Sequence, residues 1–303
     1  MIVRAGAVLA LGIGILAGAA TAAPLPIPTQ DGWDAARRAV ETADGLRLTY
    51  VELGEAPETA EGMPVILIHG YTDNSRSWSL PAADLTRALP GRRIVAIDLP
   101  GHGGSEAPAC CYGPLDLAHA LAGLMDGLGI AKADLIGHSL GSMTAATLAA
   151  SQPERVNRLV LVSSATTVPE PALDWLWQNV PALQAPIDPE SGFMRDWFSN
   201  PNPVDEDFLA RERAGGARVP KHVWTGVLLG LSGMDLAPLD RRITAPTRIF
   251  WGEKDALFDA ASQERLRAAL PEASFHEMKG LGHNFFWEQP GPAAALFAAA
   301  LTD

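Results

Sequence analysis

Uninterrupted apolar runs recur along the first half of the chain: Val65–Ile68, Ile94–Ile97, Leu135-Ile136 and Leu159–Val162. Runs of this length without polar alternation predict strands covered on both faces. Between them lie segments of helical period. Trp78–Leu89 is closed by Pro90-Gly91. From Pro114 the residues Leu117, Leu121, Leu124, Met125 and Leu128 fall on one face, and Met143–Ala150 is built of small residues that allow close approach to a sheet. Strands alternating with helices predict a mostly parallel sheet flanked by helices. Ahead of this series, Trp33–Val40 predicts a short amphipathic helix, and Leu46, Leu48, Tyr50, Val51 and Leu53 predict one or two early strands.

The rhythm breaks over residues 166–238, which carry prolines, four tryptophans and helix-like pieces but no convincing strand. It resumes with a strand at Thr247–Trp251, a helix over Ala260–Leu270, a strand at Ser274–Met278 and a last helix over Pro292–Leu301. There is no internal repeat.

Composition adds little to this picture and the N-terminus adds more. The 303 residues are 48% hydrophobic and 19% charged, which suits one large globular domain or two smaller ones. A net charge of -12 without a Lys/Arg run argues against nucleic acid or an anionic membrane as partner. Arg4, an apolar stretch from Ala5 to Ala20, and Ala20-Thr21-Ala22 ahead of Pro24, Pro26 and Pro28 form a secretory-signal pattern over residues 1–23. Cleavage is expected after Ala22 or Ala23, giving a periplasmic or secreted chain without a stable membrane span. The alternative, an uncleaved anchor, is disfavoured by a run that is short and weakly hydrophobic for a span. Cys110 and Cys111 are neighbours. Adjacent Cα atoms lie about 3.8 Å apart, below the usual separation of about 4.4–6.8 Å for a disulfide, so a bridge between them would be strained. Two free thiols or a bridge to another chain stay open.

The candidate chemistry centres on Gly137-His138-Ser139-Leu140-Gly141, at the end of one predicted strand and the start of a helix. Gly-x-Ser-x-Gly there is a nucleophile elbow, a tight turn that presents a serine hydroxyl at the top of a sheet. The bland alternative is a glycine turn with a serine helix cap, and the pattern alone does not separate the two.

Other motifs follow in order at strand ends: His69-Gly70, Asp98-Leu99-Pro100-Gly101-His102-Gly103-x-Ser105, Trp251-Gly252-x-x-Asp255 and Gly282-His283. With the elbow among them, the chain resembles the α/β-hydrolase superfamily across nearly all of the sequence after residue 23. The resemblance implies an α/β-hydrolase core over 24–165 and 239–303, and a helical cap over 166–238 inserted after the sixth strand. A serine is a poor nucleophile unless a base stands beside it. His283 suits that task, and Asp255 is assigned to fix its tautomer and stabilise the imidazolium. Two other acids compete: Glu170, too far beyond the strand at 159–162, and Asp259, expected a turn further into the helix. The backbone N–H of Leu140 is one expected oxyanion donor, and by resemblance that of Tyr71 is the other. His69 and the Asp98–Gly103 loop are expected to brace the site, and His119, His222 and His276 to be structural.

A serine at the elbow argues, by the same resemblance, against dehalogenases and epoxide hydrolases that attack through aspartate. Aminopeptidases of this fold usually show Gly-Gly-x-Gly after the first histidine, where this chain has Gly70-Tyr71-Thr72. C–C bond hydrolases serve cytosolic catabolism, at odds with an export signal. What remains foremost is an esterase or lactonase acting on a small apolar or aromatic substrate, with Trp78, Trp175, Trp177, Trp197 and Trp224 as candidate substrate contacts. Aminopeptidase, C–C hydrolase and cofactor-free perhydrolase chemistry stand behind it, and a non-catalytic binding protein further back. No metal or organic cofactor is implied.

Overall fold

A computed structural model describes residues 24–302, so the expected signal segment lies outside the described residues. The chain opens with a 3-10 turn at Asp34–Ala36, then β1 (Arg38–Glu41), β2 (Arg47–Gly54) and β3 (Val65–Ile68). α1 (Ala82–Ala88), β4 (Arg93–Asp98), α2 (Pro114–Gly127), β5 (Ala133–His138), α3 (Leu140–Ser151) and β6 (Val156–Val162) follow. Five helices then intervene: α4 (Glu170–Asn179), α5 (Gly192–Trp197), α6 (Glu206–Arg218), α7 (Lys221–Ser232) and α8 (Ala237–Asp240). The chain ends in β7 (Thr247–Gly252), α9 (Ala260–Ala269), β8 (Ser274–Met278), α10 (Phe285–Glu288) and α11 (Pro290–Thr302).

The eight strands form one sheet in the order β1-β2-β4-β3-β5-β6-β7-β8. β1, β2 and β4 pair antiparallel, and β4 through β8 pair in parallel. Every residue of β3, β4 and β5 is buried, as expected of strands covered on both faces by helices. α3 is buried along almost its whole length, because Gly141, Ala145, Ala146, Ala149 and Ala150 bring its axis close to the sheet. A parallel sheet sends the loops after β3, β5, β7 and β8 to one edge, and ligands of such sheets bind at that carboxyl edge. No helix among the described residues is long and apolar enough to cross a membrane.

Two expected elements differ. Trp33–Val40 is not a helix: after one 3-10 turn, Arg37 turns extended and Arg38–Glu41 pairs with Tyr50–Arg47 as an edge strand. Arg38 forms an ion pair with Glu52 of β2. The helix expected from Trp78 begins at Ala82, because Pro81 holds its N-cap and Ser75–Trp78 winds as a separate 3-10 turn. Cys110 and Cys111 are exposed free thiols.

Candidate active site

The elbow is a tight turn. Ser139 sits at φ 52°, ψ -119°, between the last residue of β5 and the first of α3. A non-glycine residue at positive φ costs roughly 1–3 kcal/mol and persists only where its surroundings enforce it. Here the two glycines make that enforcement sterically possible. A Cβ at Gly137 would lie 2.3 Å from the Gly141 carbonyl oxygen, and one at Gly141 would lie 2.3 Å from the Ile68 carbonyl oxygen. Thr72 (φ 66°) and Ser163 (φ 48°) are also non-glycine residues at positive φ. All three stand at the carboxyl edge of the sheet, in the loops after β3, β5 and β6.

The loop after β7 delivers Asp255, whose Oδ1 accepts from the backbone N–H of Leu257 (2.9 Å) and Phe258 (3.0 Å). Oδ2 is left to face His283, whose Nδ1 lies 2.8 Å away. With a carboxylate as acceptor, Nδ1 carries the proton and Nε2 is free to accept one. The His283 loop is clamped from several sides. Its backbone carbonyl accepts from Ser163 Oγ at 2.7 Å and faces His138 Nε2 at 3.2 Å. Asn202 Nδ2 donates to the Gly280 carbonyl at 2.8 Å, and a Cβ at Gly252 would strike the Gly282 carbonyl oxygen at 2.2 Å. Asp259, the rival acid, is occupied differently: its Oδ1 accepts from Ser262 N (2.8 Å) and Ser262 Oγ (2.7 Å), capping α9.

Ser139 and His283 line one narrow cleft of about 30 Å³ together with Tyr71, Asp73, Trp197 and Phe198. A second cavity of about 380 Å³ shares Trp197, Leu257, His283 and Asn284 with it and is walled by Pro171, Ala172, Trp175, Asp196 and Ala256. A larger surface cavity of about 540 Å³ beside Cys110 and His119 touches none of these residues. Leu140 is the first residue of α3, where a backbone N–H has no partner within the helix. The Tyr71 side chain is committed to the wall, its hydroxyl donating to the Trp224 carbonyl oxygen.

The bracing loops behave as expected. Asp98 accepts from Arg37 Nε (2.7 Å), Thr49 Oγ1 (2.6 Å), Ser75 N (2.7 Å) and Gly104 N (3.1 Å), tying the loop after β3 to β2 and β4. His69 Nε2 accepts from Leu99 N at 2.9 Å while Nδ1 faces the Gly70 carbonyl at 2.7 Å, and burial pulls its pKa down to about 3.

The five tryptophans separate. Trp197 reaches both cavities, with Nε1 donating to Thr72 Oγ1 at 2.8 Å. Trp175 lines the larger cavity and stacks on Trp197 (centroids 6.0 Å, 12°). The other three are corrected. Trp78 is a core residue, 0% exposed and stacked on Phe286 at 4.8 Å. Trp177 is half-exposed and ties α4 to α7 through Ser232 Oγ at 2.8 Å. Trp224 is buried behind Tyr71, ring centroids 5.4 Å apart, so it supports the wall without lining either cavity.

Two side chains beside the elbow carry no periodic signal, and the motifs did not single them out. His138 is buried, with its ring 4.8 Å from that of His283, its Nδ1 without a hydrogen bond, and its pKa driven well down by burial. Asp73 faces that Nδ1 at 3.8 Å, and burial pushes its carboxyl up to about 7, against the pull of His283. From an ordinary value of 3.8, the folded protein keeps this proton across an interval in which the unfolded chain releases it. The stabilisation is therefore full below about pH 3.8 and is lost as pH rises to about 7. Asp73→Asn, neutral throughout, is expected to gain about 2–4 kcal/mol on the wild type between pH 4 and pH 8. Urea unfolding at the two pH values checks this, and a pH-independent difference contradicts it.

The family model described as alpha/beta hydrolase fold matches residues 63–290. The chain is 28% identical over 258 residues to 2-hydroxy-6-oxononadienedioate/2-hydroxy-6-oxononatrienedioate hydrolase 2 of Pseudomonas putida, covering 82% of this chain and 88% of that protein. Among solved structures, an esterase from Exiguobacterium antarcticum superposes with a TM-score of 0.76 at 18% identity, covering 88% of this chain and 99% of that one. The enol-lactonase from Burkholderia xenovorans LB400 superposes with a TM-score of 0.72 at 22% identity, covering 88% and 100%. At these identities the two structures speak to the fold alone.

Proposed function

We propose that this chain, which belongs to the α/β-hydrolase fold family, is a serine hydrolase that cleaves a carboxylic ester or lactone through an acyl-enzyme on Ser139. The observation that carries the reading is that His283, with Asp255 Oδ2 2.8 Å from its Nδ1, lines one cleft with a serine held at φ 52°. In this reading Ser139 Oγ attacks the carbonyl carbon while its proton passes to His283 Nε2, and the imidazolium is stabilised by Asp255. The oxyanion takes donors from the backbone N–H of Leu140 and Tyr71. His283 then protonates the leaving oxygen, the C–O bond breaks, and water activated by the same imidazole hydrolyses the acyl-enzyme to acid and free Ser139.

The Pseudomonas putida relative is named for a dioate, a substrate with two carboxylates. The two cavities that share His283 are each lined by an aspartate, Asp73 in one and Asp196 in the other, and among the described residues neither is lined by a lysine or arginine. Unpaired carboxylates in a confined apolar site are costly, which favours an uncharged ester over C–C cleavage of a dioate. A panel of p-nitrophenyl acetate, a γ-lactone and a hydroxy-oxo-dienedioate tests this. Turnover of the ester or lactone with none of the dienedioate is expected, and the reverse order contradicts it. We place the enzyme outside the cytoplasm, on the export pattern of residues 1–23; a mature N-terminus at Ala23 or Pro24 in the extracytoplasmic fraction is the expected result.

A further inference from the structure

We propose that the site takes esters in which a short acyl group is joined to a bulky aromatic alcohol without a carboxylate, the rings lying against Trp175 and Trp197. The inference rests on the serine-hydrolase reading above and adds to it the direction in which the substrate lies.

Direction follows from the proton. The leaving oxygen must come within hydrogen-bond reach of His283 Nε2 to be protonated, so the group it carries continues along the wall on the His283 side. His283, Asn284 and Leu257 are shared by the cleft and the 380 Å³ cavity, and beyond them that cavity opens toward Pro171, Ala172 and Trp175, away from Ser139 and Tyr71. The acyl substituent, on the other side of the carbonyl carbon, falls into the cleft over Ser139. The room there is about 30 Å³ against about 380 Å³ on the other side, which favours a small acyl group such as acetyl.

The small side is rigid. Phe198 stacks on Trp287 (centroids 6.4 Å, 10°), Phe208 closes on the other edge of Trp287 at 5.2 Å, and Trp287 Nε1 donates to the Ser77 carbonyl oxygen at 2.9 Å. Widening it for a long acyl chain would mean repacking buried rings. The large side offers aromatic surface. Trp175 stacks on Phe193 (5.3 Å) and on Trp197 (6.0 Å), and Trp197 is held in place by its hydrogen bond to Thr72. Indole faces and edges accept a planar ring system in stacked or edge contact. Asp196 beside Trp197, with no lysine or arginine lining that cavity among the described residues, opposes a carboxylate on the alcohol.

Two isomers separate the directions: 2-naphthylmethyl acetate and methyl 2-naphthylacetate have the same atoms and similar leaving-group basicity, with acyl and alcohol bulk exchanged. The acetate is expected to have the higher kcat/KM by about 100-fold or more, the scale on which a mis-sized pocket discriminates. Phe198→Ala, which opens the acyl side, is expected to narrow that ratio at least tenfold by raising turnover of methyl 2-naphthylacetate. Ala172→Trp, which fills the alcohol side, is expected to lower turnover of the naphthylmethyl ester at least tenfold more than that of ethyl acetate. A wild-type ratio near one or below it overturns the inference and leaves the hydrolase reading standing, as does cleavage of p-nitrophenyl acetate with neither isomer. No turnover of any of these esters, with no fluorophosphonate attachment at Ser139, overturns the hydrolase reading and this inference together.

Discussion

Ser139→Ala is expected to lower kcat/KM for p-nitrophenyl acetate by about 10⁵–10⁶-fold, leaving only what binding and oxyanion donors supply. The hydroxyl is the atom that bonds to substrate, so its loss removes the covalent route entirely. The backbone around it is fixed by other means: the bulk of neighbouring carbonyl groups at Gly137 and Gly141 and the burial of α3. Alanine keeps the Cβ and is accommodated at φ 52° as serine is. The melting temperature of the variant should therefore stay within a few degrees of the wild type while the rate collapses. Steady-state kinetics alongside a thermal melt check this, and equal rates in the two proteins would remove Ser139 from the chemistry.

The second large effect is at Asp255. Its Oδ1 is held by two backbone amides and its Oδ2 receives the His283 Nδ1 proton at 2.8 Å. In Asp255→Asn the carbonyl oxygen stays with the amides and the NH₂ group turns toward His283. A donor facing Nδ1 forces the proton onto Nε2, so the imidazole can no longer accept the Ser139 proton. A loss of about 10⁴-fold in kcat is expected for this wrong tautomer, with KM changed far less. Asp259→Ala is the control. It removes the cap of α9 and should cost about 1 kcal/mol of stability while kcat stays within twofold. A large kcat loss at Asp259 and a small one at Asp255 would reverse the assignment.

The sequence favours Asp255 over Asp259, which falls a turn further into the helix, but it does not show the contact itself. Both follow β7 within four residues of each other, and both are buried or capped by local turns. Only the three-dimensional path of the Gly280–His283 loop brings Nδ1 to one and not the other. The elbow, by contrast, was legible, because its steric requirement falls on Gly137 and Gly141 and glycine is a visible residue type. The strands at 65–68, 94–97 and 159–162 were legible for a similar reason: burial on both faces leaves no polar position. The edge strand β1 was not, since Arg38, Ala39 and Glu41 are exposed and carry no apolar period. Tryptophan content pointed to an aromatic environment without direction. Trp197 faces the cleft, while Trp78 turns into the core against Phe286 and Phe297. Asp73 and His138 lie beside recognised motifs, and only their burial together reveals the raised carboxyl next to the nucleophile.

The central claim is that Ser139 is a nucleophile activated by His283. Its most direct test is covalent capture: incubate the folded protein with a fluorophosphonate, digest it, and locate the added mass. The account predicts a single labelled peptide with the mass on Ser139, labelling that is absent in Ser139→Ala and slowed by at least about 10³-fold in His283→Ala. A label on another residue, or labelling of Ser139 at the same rate without His283, would contradict it.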